Sequence, residues 1–280
     1  MNNKHFFKNN GNIKKLILKG ETKYFFKKYL KKTNKFETIY KFFLIHQNNA
    51  HELFHFMDII SVTPNINGEE LRIYLVNRNT EVNRLFINYI SSAKTMLDLF
   101  EGFGKIEERG ATDFKIIMSN VYDKVDEYFL VYKLRNFSQH GYIPVYYSSS
   151  RNKYCINIDY ILFEGNEFHF SKTDRKRFDS ISTELLLIDC VNVFQFYLLS
   201  LYNEFLEFYK SDYIKMYGKF IEIVNKHQEN LGYTSMYPKT PMFHFEMDGK
   251  SQAVFVINDY EFIKRIEKEV LKEIKIFLNK

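Results

Sequence analysis

The scarcity of helix-breaking residues is the feature that most constrains the fold of this chain. It has four prolines and eleven glycines in 280 residues, whereas these two types together make up about 12% of an average protein. Long segments therefore lack turn signals, which favours long helices over the short strands of an all-β domain. Hydrophobic residues account for 45% of the chain, which is enough to fill a core. We expect a mainly α, globular fold.

Apolar residues recur at intervals of three and four along much of the chain, as they do in amphipathic helices. Thr80 is a suitable N-cap for one such helix. Another should end near His140, because Gly141 can close a helix in the left-handed conformation and Pro144 follows. The expected helices are 13–32, 35–60, 80–101, 112–140, about 180–209, about 211–230 and 259–278.

Two segments depart from the helical pattern. After Pro144, aromatic and β-branched residues alternate, which predicts a small antiparallel β insertion at about 143–172. Near the C-terminus, Asp248-Gly249 separates two apolar segments and predicts a β-hairpin of residues 242–247 and 253–257. The residues expected on one side of the insertion are Tyr154, Ile156, Ile158 and Tyr160, with Phe168 and Phe170 beyond a turn.

No internal repeat or flexible linker divides the chain, and the one candidate boundary is the turn at residues 64–70. The expected parts are a basic helical N-terminal extension at 1–68 and a helical domain at 69–280, with its core at about 80–230, its β insertion at about 143–172 and its C-terminal hairpin and helix at about 240–280.

The positive charge is concentrated at the N-terminus. Residues 1–41 contain twelve lysines and two glutamates, although the net charge of the whole chain is only +6. Such a field attracts polyanions, either nucleic acid or an anionic membrane surface, unless it is simply a solvated helix face.

Other features concern the compartment. The most apolar segment, 185–202, is interrupted by Asp189 and two side-chain amides, so no membrane span and no membrane partner are expected. The spacing of Cys155 and Cys190 suggests neither a disulfide framework nor a zinc knuckle. With no export signal in the first twenty residues, we expect a cytoplasmic protein.

The segment 134–145 is the strongest candidate for chemistry. It reads Leu-Arg-Asn-Phe-Ser-Gln-His-Gly-Tyr-Ile-Pro-Val, so Asn136 directly follows Arg135 and His140 comes four residues later. Asn136 and His140 therefore share a helical face, and Arg135 lies about 100° round the helix. A histidine can accept the proton of a ribose 2′-hydroxyl, and an arginine can stabilise the charge on the phosphate. These residues suit RNA cleavage without a metal.

This segment and its helical surroundings resemble the HEPN superfamily, which comprises helical nucleotide-binding and ribonuclease domains with an Arg, polar residue and His signature. The resemblance covers about residues 80–210 and implies a HEPN-like helical bundle that needs no cofactor. It implies that His140 is the general acid/base and Arg135 the phosphate clamp, with RNA as substrate. It also implies a homodimer in which two motifs face one another, and a toxin or anti-phage role with an antitoxin or regulatory partner.

Several polar residues are candidates for supporting roles. They are Asn136, Asn83, Arg84, Asn88 and Tyr142. Ordinary surface or interface positions are the alternative for these residues, just as Arg135 and His140 could merely satisfy free carbonyl groups at a helix end. A HEPN domain that binds a nucleotide or nucleic acid without cutting it is a further alternative.

A metal site is the competing hypothesis. His51-Glu52-Leu53-Phe54-His55 matches the HExxH pattern of zinc metalloproteases, in which two histidines hold zinc and the glutamate activates water. The match ends at five residues, because neither a third histidine at metzincin spacing nor another downstream ligand signature accompanies it. Packing or exposure on an amphipathic helix is the simpler interpretation.

Overall fold

The computed structural model describes residues 14–59, 67–104, 111–164, 170–233, 240–256 and 259–278, and the predicted mainly α fold class is confirmed within them. The helices are α1 (Gly20–Ile59), α2 (Gly68–Gly104), α3 (Ala111–Lys124), α4 (Asp126–Gln139), α5 (Ile158–Glu164), α6 (Lys172–Ser180), α7 (Leu187–Lys226) and α8 (Asp259–Leu278). The strands are β1 (Leu16–Ile17), β2 (Val145–Ser148), β3 (Lys153–Asn157), β4 (Glu184–Leu186), β5 (Leu231–Tyr233), β6 (Pro241–Met247) and β7 (Lys250–Phe255).

The chain divides into two compact units. The terminal unit contains the described residues up to Glu37 together with Leu206–Leu271, and the central unit contains Thr38–Phe205 together with the described residues from Lys272 onward. This division runs through α1, α7 and α8, whereas the sequence suggested a boundary at residues 64–70.

Aromatic side chains fill the core of the central unit. The ring centroids of Phe43 and Tyr202 are 4.8 Å apart, and those of Phe100 and Phe205 are 4.9 Å apart. Phe114 meets Phe100 edge to face at 5.9 Å, so α1, α2, α3 and α7 all contribute rings. Such contacts add to the large apolar area that each ring buries.

The β insertion belongs to the central unit and differs in part from the prediction. Strands β2 and β3 form the expected antiparallel pair, with Val145 opposite Ile156. Ile158 and Tyr160 are not on the strand but in α5, and Phe168 lies outside the described residues. The third strand is β4, which pairs with β3 where the sequence predicted the start of a helix.

The sheet of the terminal unit confirms the predicted hairpin. Strands β6 and β7 pair antiparallel, and Asp248 and Gly249 both have positive φ (55° and 70°), as a type I′ turn requires. Strand β6 also pairs with β1 in parallel and with β5 antiparallel. Its Phe243 and Phe245 pack against Phe26 of α1, at 6.0 and 5.1 Å between ring centroids.

Helix boundaries show the main corrections. The two helices predicted before residue 60 are one helix, α1, and those predicted at about 180–209 and 211–230 merge into α7. Thr80 is not an N-cap but lies inside α2, where its hydroxyl donates to the carbonyl of Val76 at 2.8 Å. Conversely, the helix expected at 112–140 breaks at Val125, whose backbone is extended (φ −114°, ψ 110°). None of the described helices is both long and apolar enough to cross a membrane.

Candidate active site

The candidate site lies at the C-terminal end of α4. The helix ends at Gln139, and His140 is its C-cap, with φ −90° and ψ 11°. Gly141 has φ +90°, a conformation that side chains other than glycine rarely adopt, and its N–H donates to the carbonyl of Ser138 at 3.2 Å. The predicted helix end is therefore confirmed, and it places Arg135, Asn136 and His140, here called the Arg-Asn-His motif, in the last turns.

The three side chains of the motif differ in their exposure to solvent. Asn136 and His140 are exposed, and their spacing puts them on one side of the helix. Arg135 is half-buried, and its Nη1 donates to Oδ1 of Asn136 at 3.2 Å. Its Nε is buried and has no hydrogen-bond partner among the described residues. A cationic fork thus lies beside an exposed amide, and an exposed imidazole follows at the helix end.

Phe137 anchors this turn in the core. Its side chain is buried, and its ring lies 5.0 Å from that of Tyr142 and 6.1 Å from that of Tyr160. Tyr142, a supporting candidate from the sequence, therefore packs beside the motif. This packing fixes the helix end from which His140 projects.

Asn83 links α2 to the segment that follows the motif. It is buried, its Nδ2 donates to the carbonyls of Asn79 and Val145 at 2.8 Å each, and its Oδ1 accepts from the Val145 N–H at 3.1 Å. Because these contacts engage both ends of the buried amide, Asn83 holds the start of β2 against α2.

Two other sequence candidates make contacts of their own. Arg84 is exposed and forms a two-point ion pair with Glu81, at 2.8 and 2.6 Å. Asn88 is exposed, and its backbone carbonyl accepts from Asn49 at 3.3 Å. Neither contact involves the Arg-Asn-His motif.

Two ion pairs hold α6 against α4, and the sequence gives no indication of either. Lys133 Nζ lies 2.8 Å from Oδ2 of Asp174, and Arg177 Nε lies 2.8 Å from Oδ1 of Asp126. Burial opposes ionisation of Asp174, but hydrogen bonds from Lys133 and Ser171 keep its pKa below the usual value. The partners are about 40 and 50 residues apart in sequence, so no local pattern links them.

The HExxH residues do not form a metal site among the described residues. His51, Glu52 and His55 are all exposed on α1. His51 Nε2 lies 3.6 Å from Oε2 of Glu273, but the described part of the chain contains no group of three His, Cys, Asp or Glu side chains placed to hold a metal ion.

Comparison with known proteins gives no assignment for this arrangement: no family model, no curated protein and no solved structure matches the chain.

Proposed function

We propose that this protein is a metal-independent endoribonuclease of HEPN type, with Arg135 and His140 as its catalytic residues. The observation that carries the proposal is the arrangement at the end of α4. There a guanidinium group hydrogen-bonded to Asn136 accompanies an exposed imidazole. These are the groups that cleavage of RNA by its own 2′-hydroxyl requires.

In this mechanism the 2′-oxygen attacks the adjacent phosphorus and the bond to the 5′-oxygen breaks. His140 accepts the proton of the 2′-hydroxyl, since imidazole is the side chain best suited to exchange protons near neutral pH. Arg135 donates hydrogen bonds to the phosphate oxygens, where negative charge accumulates. The 5′-oxygen leaves with a proton, so the products are a 2′,3′-cyclic phosphate and a 5′-hydroxyl.

The leaving oxygen needs a second proton donor. In the proposed homodimer, the partner's copy of the motif supplies a second imidazole and a second guanidinium, as the resemblance implies. A toxin or anti-phage effector role, with an antitoxin or regulatory partner, belongs to the same proposal.

A stripe of side chains on α1, exposed except at the half-buried Lys35, supports RNA as the partner. Tyr24, Lys28, Lys31 and Lys35 follow one another at intervals of three and four, so they share a helical face, here called the basic stripe. Tyr24 is 72% exposed, and the three lysines have no acidic partner within the described ranges. Lysines bind phosphates, and an exposed ring can stack on a base.

The test is cleavage of total cellular RNA by the wild-type protein and by His140→Ala, with EDTA in both reactions. We expect only the wild-type protein to cut, leaving 2′,3′-cyclic phosphate ends. The matched control is His55→Ala, which removes another exposed histidine and should cut normally. Equal cleavage by His140→Ala would overturn the assignment of His140. RNA binding without cleavage by the wild-type protein would identify a non-catalytic HEPN module.

A further inference from the structure

The helices α2, α3 and α4 line a cavity that is open to solvent and that the mechanism above does not use. Its volume is about 420 Å³, which is the size of a site for a small ligand. Leu97 and Met118 form an apolar part of its lining, and both are buried. Polar and aromatic side chains line the rest.

Three tyrosines contribute to the lining of the cavity. Tyr122 and Tyr132 meet edge to face, with centroids 5.3 Å apart and planes at 78°. Tyr128 is buried and packs against Phe194 at 5.0 Å, so its ring is held in place. Single-stranded RNA is commonly bound by stacking of its bases on rings of this kind.

The lining has no net positive charge. Two lysines, Lys115 and Lys133, and two acids, Glu101 and Asp123, line the cavity. Asp174 already neutralises Lys133. A phosphate therefore gains little from this site, whereas an uncharged planar group with both donors and acceptors can be fully hydrogen-bonded.

The cavity is adjacent to the Arg-Asn-His motif along α4. Tyr128, Tyr132 and Arg135 occupy positions i, i+4 and i+7, so they lie on one helical face. Arg135 lies only about 4.5 Å further along the helix axis than Tyr132. A base in the cavity would thus lie about one turn from the group that binds phosphate.

We propose that this cavity binds a guanine base of the RNA substrate beside the phosphate held by Arg135. The inference deepens the proposed nuclease function and rests on it for its RNA context. Guanine fits because the carboxylate of Asp123 can accept from its adjacent N1 and N2 donors. Lys115 can donate to its O6 and N7 acceptors.

The test measures binding of GMP, AMP, CMP and UMP to the full-length His140→Ala variant by isothermal titration calorimetry. We expect GMP to bind at least about fivefold more tightly than the other three. Tyr132→Leu removes the ring and should weaken GMP binding about tenfold, while Tyr132→Phe keeps the ring and should bind normally. Asp123→Asn should remove the preference for GMP, and Asp179→Asn, an exposed acid on α6 outside the cavity, should preserve it.

Binding and cleavage measurements together distinguish failure of the guanine site from failure of the proposed nuclease activity. Equal binding of the four nucleotides, or GMP binding unchanged in both Tyr132→Leu and Asp123→Asn, would overturn the base site even if the wild-type protein cuts RNA. The opposite result is selective GMP binding that both variants weaken, together with no RNA cleavage by the wild-type protein. That result would support the guanine site and overturn the proposed nuclease activity.

Discussion

The side-chain amide of Asn83 pairs with both backbone polar groups of Val145, at 2.8 Å to the carbonyl oxygen and 3.1 Å to the N–H. Val145 is the first residue of β2 and follows His140 by five residues. One side chain of α2 thus fixes the segment that follows the Arg-Asn-His motif.

Asn83→Leu should lower the free energy of unfolding by about 2–3 kcal/mol, because two buried backbone groups of Val145 would lose their partner. Urea unfolding followed by circular dichroism measures the change. The control is Asn88→Leu on the exposed face of the same helix, which should shift stability by less than about 0.5 kcal/mol. Equal stability of the two variants would contradict this role for Asn83.

Arg135→Lys should reduce RNA cleavage about tenfold to a hundredfold while leaving the fold intact. Lysine keeps the positive charge but lacks the planar fork that binds two phosphate oxygens. The initial rate on a defined single-stranded RNA measures the effect. The control is Arg84→Lys, which changes an exposed arginine that pairs with Glu81 and should leave RNA cleavage at the wild-type rate. If Arg84→Lys lost activity and Arg135→Lys did not, the phosphate clamp would be Arg84 and not Arg135.

Structural features that depend on nearby residues were predicted well from the sequence, and contacts between residues distant in sequence were not. The bounds of α8 and the Asp248-Gly249 turn follow from short-range periodicity and turn chemistry. Asn34 and Asp212 interrupt apolar patterns, but both are exposed on continuous helices, so they do not break α1 or α7. Only the fold reveals the pairing of Asn83 with Val145, 62 residues away.

The helix end that carries the motif illustrates the same distinction. Gly141 and Pro144 gave a local signal for where α4 ends, and the structure agrees. The sequence contains no equivalent signal for the extended residue Val125 that separates α3 from α4. The cavity depends on the packing of three helices, so its tyrosines and acids could not be grouped from their spacing alone.

The stability of the protein should fall as the pH drops below about 6.5. Burial lowers the pKa of His46 to about 4, although hydrogen bonds to Gln195 and Tyr89 oppose the shift. Between these pKa values the unfolded chain binds the proton and the folded chain does not, so acidification favours unfolding. We expect a loss of about 2 kcal/mol between pH 7.5 and pH 5, measured by urea unfolding.

His46→Gln should reduce this pH dependence, because glutamine does not titrate. Some dependence should remain, since burial also lowers the pKa of His244 and nearby Lys15 adds to that shift. The exposed residue His55 serves as the control, and His55→Gln should retain the wild-type pH profile. A pH profile of His46→Gln that matches the wild type would show that His46 does not cause the effect.

Removal of metal ions should leave RNA cleavage unchanged. His51 and His55 are exposed, and the described part of the chain contains no group of three His, Cys, Asp or Glu side chains that could hold a metal ion. Glu52→Ala should also cut at the wild-type rate, because the proposed reaction uses no metal-bound water. The opposite result is loss of cleavage by the wild-type protein in EDTA and by Glu52→Ala, with zinc restoring activity to the EDTA-treated wild-type protein. That result would instead support a zinc site at the HExxH residues.

The basic stripe should contribute salt-dependent RNA binding. Lys28→Glu with Lys31→Glu keeps helix propensity but reverses two exposed charges. Each lost phosphate contact should lower the slope of log affinity against log salt by about 0.7 for a single strand, so the double variant should lose about 1.4. Fluorescence anisotropy of a labelled single-stranded RNA, with His140→Ala as the background, measures this slope.

The control for the basic stripe is Lys268→Glu with Lys272→Glu, which reverses two exposed charges on α8 and should keep the slope. If both double variants lose the same amount, the attraction comes from net charge, and the basic stripe is not a specific RNA contact.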